Sequence, residues 1–512
     1  MMRQSIRRIA PAAAAVTAPF DFKTDSKKYY TIPKIVEKPL NFINGAFVEA
    51  SADQVIDVVN PATHVSLGTI PKFGATETRD AISAAENAFE SWSTTLPRAR
   101  AVILRRWHDL MIEYGDNLGA IITRESGKPI AEGHGENIYA ARFLEWYANE
   151  AERIYGDIIP SPRHGVRTTV IKQPVGVVGV ITPWNFPAAM ITRAVGGAIA
   201  AGCTCVVKPS ELTPFSALAL AQLAQEAGLP NGVLNIVTGD APAIGSALSS
   251  SFAVRKLSFT GSTKVGKQLM RECADTVKKL GMELGGNAPL IVFEDADIPK
   301  AVAGIMAAKF RNAGQTCVCA NRVFVHESIF DKVVEGVVAQ VRAFRVGYSL
   351  DPKVGNFGPL INPQAVDRVE ALCNEAVKAG AKVLAGGKRG PGSGNFFEPT
   401  VLTNVTHDMS VCQSEIFGPL LPILSFKDED EVVRLANSTR AGLASYVFTE
   451  NYKRQWRLSE KLQFGMVGIN DGIVSTPVAP FGGIKESGLG RDGSKYGIDA
   501  FVDIKYVLHS NL

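Results

Sequence analysis

The 512-residue chain has no cysteine framework. Its seven cysteines, at 203, 205, 273, 317, 319, 373 and 412, are odd in number and scattered, with no Cys-x-x-Cys pair, which excludes a disulfide scaffold and a paired-thiol metal site and points to a reducing compartment. Long apolar runs are missing too. The longest charge-free apolar stretch in the middle of the chain, Ala194 to Val207, is closed by Arg193 and Lys208 and is too short to cross a bilayer; it reads as the end of a buried helix followed by a core strand. Charge of one sign is scarce. Of the net +4, three arginines fall in the first twenty residues, so the remainder carries +1 and no nucleic-acid partner is implied. There is no G-x-G-x-x-G fingerprint, no internal repeat and no low-complexity linker.

What remains is an ordinary globular composition, 46% hydrophobic and 20% charged, on a chain long enough for more than one domain. The N-terminus stands apart. Residues 1–20 hold Arg3, Arg7 and Arg8, an alanine run at 12–15, Ser5 and Thr17, and no acid, the composition of a mitochondrial transit peptide, so the matrix is the expected location. Beyond about residue 40, β-rich runs at 175–181, 203–208, 233–237, 256–260 and 290–293 alternate with helical stretches such as 214–227 and 263–277. That rhythm predicts an α/β fold with a mostly parallel, doubly wound sheet.

The chemistry is concentrated in three segments. Gly314-Gln315-Thr316-Cys317-Val318-Cys319 offers a thiol nucleophile, Met282-Glu283-Leu284-Gly285-Gly286 a carboxylate base in a glycine turn, and Ile181-Thr182-Pro183-Trp184-Asn185-Phe186-Pro187 an amide donor for a developing oxyanion. Alone, Cys317 reads as a packed thiol and Glu283 as an ion-pair partner; the glycines after Glu283 allow the close approach that an ion pair does not need. With Val206-Val207-Lys208-Pro209-Ser210-Glu211, Phe259-Thr260-Gly261-Ser262-Thr263, Glu415-Ile416-Phe417-Gly418-Pro419 and Pro480-Phe481-Gly482-Gly483, these segments resemble the NAD(P)-dependent aldehyde dehydrogenase family from about residue 40 to the C-terminus.

The resemblance implies a Rossmann-type cofactor domain over 21–160 and 176–285, an α/β catalytic domain over 286–485, and a small β oligomerisation element from 161–175 and 498–512 that makes a homodimer or homotetramer. It implies that Cys317 attacks an aldehyde, that Asn185 and a backbone N–H hold the oxyanion, and that Glu283 deprotonates the water that hydrolyses the thioester. Cofactor contacts are implied for Thr182, Trp184, Lys208, Ser210, Glu211, Gly245, Gly261, Ser262, Val265, Glu415 and Phe417. Ser262 or Thr263 reads equally well as a plain helix N-cap. A carboxylate at Glu211 accepts from ribose hydroxyls and repels a 2′-phosphate, favouring NAD over NADP. No metal is expected.

Arg193 and Arg311, close in sequence to Asn185 and Cys317, suit a carboxylate at the far end of a short aldehyde, with Ser475 as a third donor. This set, with the stretch from Lys485 to Ile498, looks like the branch of the family acting on succinate semialdehyde, an intermediate of 4-aminobutyrate breakdown. Glutarate semialdehyde is the neighbouring alternative, and a non-catalytic protein retaining the fold is the alternative of another class. Finally, Cys317 and Cys319, one residue apart, match a redox sensor and its resolving thiol, provided the loop moves to bring them into bonding range; Cys319 as a small packing residue is the other reading.

Overall fold

The computed structural model describes residues 38–510 apart from 52, 349, 351, 352 and 354. The expected targeting segment, 1–20, lies outside the described residues.

Two sheets carry the architecture. The first has eight strands in the order Gly488–Leu489, Lys279–Glu283, Val254–Thr260, Val177–Ile181, Thr204–Lys208, Leu234–Ile236, Leu40–Ile43, Ala46–Glu49. The five strands from Lys279–Glu283 to Leu234–Ile236 are parallel. The two central ones, Val-Val-Gly-Val-Ile and Thr-Cys-Val-Val-Lys, are rich in β-branched residues and buried nearly throughout, as helices on both faces require. The helix Ala189–Ala201, buried along its whole length, covers one face, and Gly202, at φ 95°, ends it in the left-handed region so that the chain can turn into Thr204–Lys208. The apolar run 194–207 is therefore helix end plus core strand, as its composition predicts.

Register decides where function can sit. Thr260 pairs with Glu283, Phe259 with Ile181, and Ile181 with Lys208, so the C-terminal ends of four adjacent strands are level. The segments that leave them, Thr182–Asn185, Pro209–Glu211, Gly261–Ser262 and Leu284–Gly286, emerge along one edge, the usual ligand edge of a parallel α/β sheet.

The second sheet has seven strands in the order Lys382–Ala385, Thr400–Thr403, Leu420–Phe426, Ala320–His326, Ala288–Val292, Ala444–Phe448, Met466–Ile469, parallel except at Lys382–Ala385. It begins just past Gly286, and Ala288 pairs with Ala320, next to Cys319. The C-terminal edge of the first sheet thus meets the N-terminal edge of the second, and Glu283 and Cys317 lie on opposite sides of that seam. A third, antiparallel sheet pairs Val502–Ser510 along its full length with Val166–Pro174, which also pairs with Asp157–Ile159. This last strand starts at Val502, because its pairing continues back to Pro174. Ile158, Ile504 and Tyr506 on this sheet are exposed. Among the described residues no helix is long and apolar enough to cross a membrane.

Candidate active site

One cavity of about 290 Å³ lies at the seam, lined by Cys317, Glu283, Asn185, Arg193, Arg311 and Ser475 together with Trp184, Gly261, Ser262, Glu415 and Phe417. Residues as far apart in sequence as Trp184 and Ser475 are therefore brought to a single site.

The nucleophile loop is held by an unusual backbone. Asn312, Ala313 and Gly314 take φ values of 51°, 52° and 77°, so the helix Ile298–Phe310 stops abruptly and the chain doubles back. Gln315 locks the turn: its Nε2 donates to the carbonyls of Asn312 and Pro359, at 3.0 and 3.2 Å, and its Oε1 accepts from Ile361 N–H at 2.9 Å. Gly314 is required at its position, since a Cβ there would stand 2.2 Å from the Gly418 carbonyl; Gly286 likewise, since its Cβ would stand 2.2 Å from the carbonyl of Cys317. Cys317 is half-buried and faces the cavity. Burial pushes its thiol up to about 12, with Arg193 opposing and Glu415, Glu283 and Cys319 adding to the rise. The fold alone therefore disfavours the thiolate form of Cys317.

Glu283 ends its strand with a buried side chain, and its Oε2 has no hydrogen-bond partner among the described residues. Burial, then the nearby Asp492 carboxylate, raise its pKa well above the ordinary value, against Arg193 and Arg491. A carboxylate so raised is a stronger base than an ordinary Glu. Asn185 is buried; one Nδ2 hydrogen goes to the Gln315 carbonyl at 3.1 Å, which leaves the other for an oxyanion, and its own main-chain carbonyl accepts from Lys128 Nζ at 2.8 Å and Asn312 Nδ2 at 3.0 Å. The Cys317 N–H has no acceptor among the described residues and is the second donor available at the thiol.

The two arginines differ. Arg193 lies with its guanidinium 4.3 Å over the Phe481 ring and its Nε 2.9 Å from Asp492 Oδ2, while Nη2 is buried without a hydrogen-bond partner. Arg311 has no ion pair among the described residues and lies 5.2 Å from the Phe186 ring centroid. Arg193 is thus engaged by Asp492, whereas Arg311 bears on the buried Glu132 only at longer range.

No dinucleotide is present, but the residues fit one. Gly261 and Ser262 sit between the end of a parallel strand and the helix Thr263–Cys273; the Gly261 N–H donates to the Glu283 carbonyl at 3.0 Å, and the N–H groups at the helix start suit a pyrophosphate. Ser262 Oγ also accepts from Val265 N–H at 3.4 Å, so it is an N-cap as well. Lys208 Nζ donates to Glu211 Oε2 at 2.7 Å, and Glu211 is held below the ordinary carboxylate range, where Lys208 outweighs burial. Thr182 Oγ1 is buried and has no hydrogen-bond partner among the described residues, Ser210 Oγ accepts from Leu212 N–H, and a Cβ at Gly245 would stand 3.9 Å from Leu269 Cδ2, in ordinary van der Waals contact. Thr182, Lys208, Ser210, Glu211, Gly245 and Val265 do not line the cavity itself. Nearer the thiol, Trp184 and Phe417 meet edge to face at 5.5 Å, and Glu415 Oε1 accepts from Gly286 N–H at 3.0 Å with its carboxyl raised to about 7 by burial. Cys319 is buried, its Sγ 2.7 Å from Thr316 Oγ1 and donating to the Lys309 carbonyl at 3.4 Å. Asp492, Lys128 and Glu136 escaped the sequence reading; a carboxylate inside a Gly-Arg-Asp-Gly turn and a Lys-Pro helix start both look like ordinary surface.

A thiol, a poised carboxylate and two oxyanion donors beside a dinucleotide-shaped strand end define a site for oxidising a carbonyl compound through a covalent adduct. The chain belongs to the aldehyde dehydrogenase family, whose model matches residues 47–507. It is an NAD(P)-dependent aldehyde dehydrogenase. It is similar to the mitochondrial succinate-semialdehyde dehydrogenase of Oryza sativa, 53% identical over 470 residues that span 92% of this chain and 89% of that protein. It is also similar to a glutarate-semialdehyde dehydrogenase of Pseudomonas putida, 53% identical over 466 residues, 91% and 96% of the two chains. The crystal structure of an Escherichia coli NADP-dependent enzyme superposes with a TM-score of 0.91 at 53% identity, covering 92% of this chain and 98% of that one.

Proposed function

We propose that this enzyme oxidises succinate semialdehyde to succinate with NAD in the mitochondrial matrix, in 4-aminobutyrate breakdown, as a homodimer or homotetramer. The observation that carries the substrate is Arg311, a cation without an ion pair among the described residues in the cavity that holds Cys317. A fixed guanidinium fork is a poor neighbour for an apolar aldehyde tail and a good one for a carboxylate. Glutarate semialdehyde is the second reading, favoured by a relative of equal identity that carries that name. The Lys208–Glu211 pair supports NAD, the mitochondrial relative supports the location, and the exposed Ile158, Ile504 and Tyr506 support subunit contacts through the third sheet.

In the mechanism this reading implies, Cys317 Sγ bonds to the aldehyde carbon as its proton passes to Glu283 or water, and the carbonyl oxygen becomes an oxyanion held by Asn185 Nδ2 and the Cys317 N–H. When bound, the dinucleotide supplies the hydride acceptor that turns this adduct into a thioester. Glu283 then takes a proton from water, the hydroxide displaces Cys317 as thiolate, and the acid leaves. Arg193, Arg311 and Ser475 hold the distal carboxylate, while Glu415, Phe417 and Trp184 hold the ribose and ring. The Cys317–Cys319 spacing supports a disulfide that silences the enzyme under oxidation. A panel of succinate semialdehyde, glutarate semialdehyde and butanal with NAD and NADP tests the whole reading. Highest kcat/KM for succinate semialdehyde with NAD is expected; preference for butanal would remove the carboxylate site.

A further inference from the structure

Lys128 and Glu136 form an ion pair, Nζ to Oε2 2.5 Å, with 1% and 0% of their side chains exposed. Neither lines the cavity. Burying two charges is costly, and an apolar pair of the same volume generally stabilises a fold as well or better, so packing alone does not explain the pair.

Its further bonds do. Lys128 Nζ donates to the main-chain carbonyl of Asn185 at 2.8 Å and lies 4.3 Å over the ring of the next residue, Phe186. Glu136 Oε1 accepts from the N–H groups of Ala188 and Ala189, at 2.9 and 3.4 Å, at the start of the helix that carries Arg193. A carboxylate is favoured there by the helix dipole and by N–H groups with no intrahelical partner. One turn earlier, Glu132 Oε2 accepts from the N–H of Asn312, in the left-handed turn before Cys317. Asn312 Nδ2 in turn donates to the same Asn185 carbonyl at 3.0 Å. The first turns of the helix Ile130–Glu150 thus grip both the Asn185 segment and the nucleophile turn.

We propose that the Lys128–Glu136 pair is a positioning device for the reaction, fixing the Asn185 amide over the Cys317 adduct by holding the Asn185 carbonyl and the helix start beyond it. The proposal rests on Asn185 as oxyanion donor. A displacement of a donor by a fraction of an ångström weakens a charge-assisted bond in the transition state while leaving ground-state binding alone.

The test is a double-mutant cycle in the full-length enzyme, read as the single-turnover rate of reduced-nicotinamide formation with butanal, whose tail needs no arginine. Lys128→Met with Glu136→Gln removes both charges of the pair together, and the neighbouring Glu132, which Lys128 also favours as a carboxylate, keeps Arg311 and the Asn312 N–H. It is expected to slow that rate about tenfold or more while changing cofactor affinity less than about twofold. In an Asn185→Ala background the same change should alter the already slow rate less than about twofold. Losses that multiply in that background overturn the proposal and leave Asn185 as oxyanion donor; an Asn185→Ala enzyme that is not slowed removes the donor and the proposal with it. Should the double substitution fail to fold, Glu136→Gln, which keeps an acceptor for Ala188, enters the same cycle and is judged by the same outcomes.

Discussion

Arg193 and Asp492 form a buried ion pair, Nε to Oδ2 2.9 Å, beside the cavity that holds Cys317 and Glu283. Asp492 raises the pKa of Glu283 and Arg193 lowers it, so both members of the pair bear on the base. The consequence is a difference between the two arginines.

Arg311→Ala is expected to lower kcat/KM for succinate semialdehyde about ten- to hundredfold, the loss of a charge-assisted bond of roughly 1.5–3 kcal/mol, with little change for butanal. Arg193→Ala leaves Asp492 buried without its cation beside Glu283, so it should lower activity toward both aldehydes and lower the Tm. Steady-state kinetics with both substrates and thermal unfolding check this. An Arg193→Ala enzyme as stable as wild type and impaired only for the acid substrate would contradict it.

Without cofactor, the Cys317 thiol stands at about 12, so at neutral pH the thiolate is scarce. Iodoacetamide should alkylate Cys317 slowly, at a rate rising about tenfold per pH unit from 7 to 9, as thiolate fraction does below a pKa. A plateau in that interval would show a thiol already ionised by the protein.

Much of the first sheet was legible because its central strands are short apolar runs: the readings at 203–208 and 233–237 fall within a residue of Thr204–Lys208 and Leu234–Ile236, whereas Lys279–Glu283, Lys-Leu-Gly-Met-Glu, has no such run and was not read as a strand. Cys317, Glu283 and Asn185 were legible because each sits in a glycine- or proline-marked turn. Buried charges were not. Lys128 and Glu136 pair across eight residues, and Asp492 reaches Arg193 from the far end of the chain, contacts made only by the fold. The raised pKa of Cys317 was not legible either, since burial depends on segments that only the fold closes over it.

Glu211→Ser should raise the NADP-to-NAD ratio of kcat/KM, because it removes the carboxylate that Lys208 keeps ionised and frees that lysine for a 2′-phosphate. Kinetics with each cofactor at saturating aldehyde decide it; an unchanged ratio takes Glu211 away from the ribose.

Peroxide should inactivate the wild type in a form that dithiothreitol restores, as Cys317 oxidises to a sulfenic acid and Cys319 displaces water to close a disulfide. For that, Cys319 must leave Thr316 and the Lys309 carbonyl. Cys319→Ala should instead oxidise onward to forms that the reductant leaves inactive. Equal recovery of the two enzymes would rule out the switch.

The central claim is a covalent acyl intermediate on Cys317 resolved by Glu283. Because burial raises the Glu283 pKa, its base form, and with it deacylation, is lost as pH falls through that raised value. Glu283→Gln removes the base at every pH. Intact-protein mass spectrometry of this variant, quenched after mixing with succinate semialdehyde and NAD, should show one succinyl group per chain, absent from Glu283→Gln/Cys317→Ala. An unmodified Cys317 in a variant that still turns over at the wild-type rate would contradict the account.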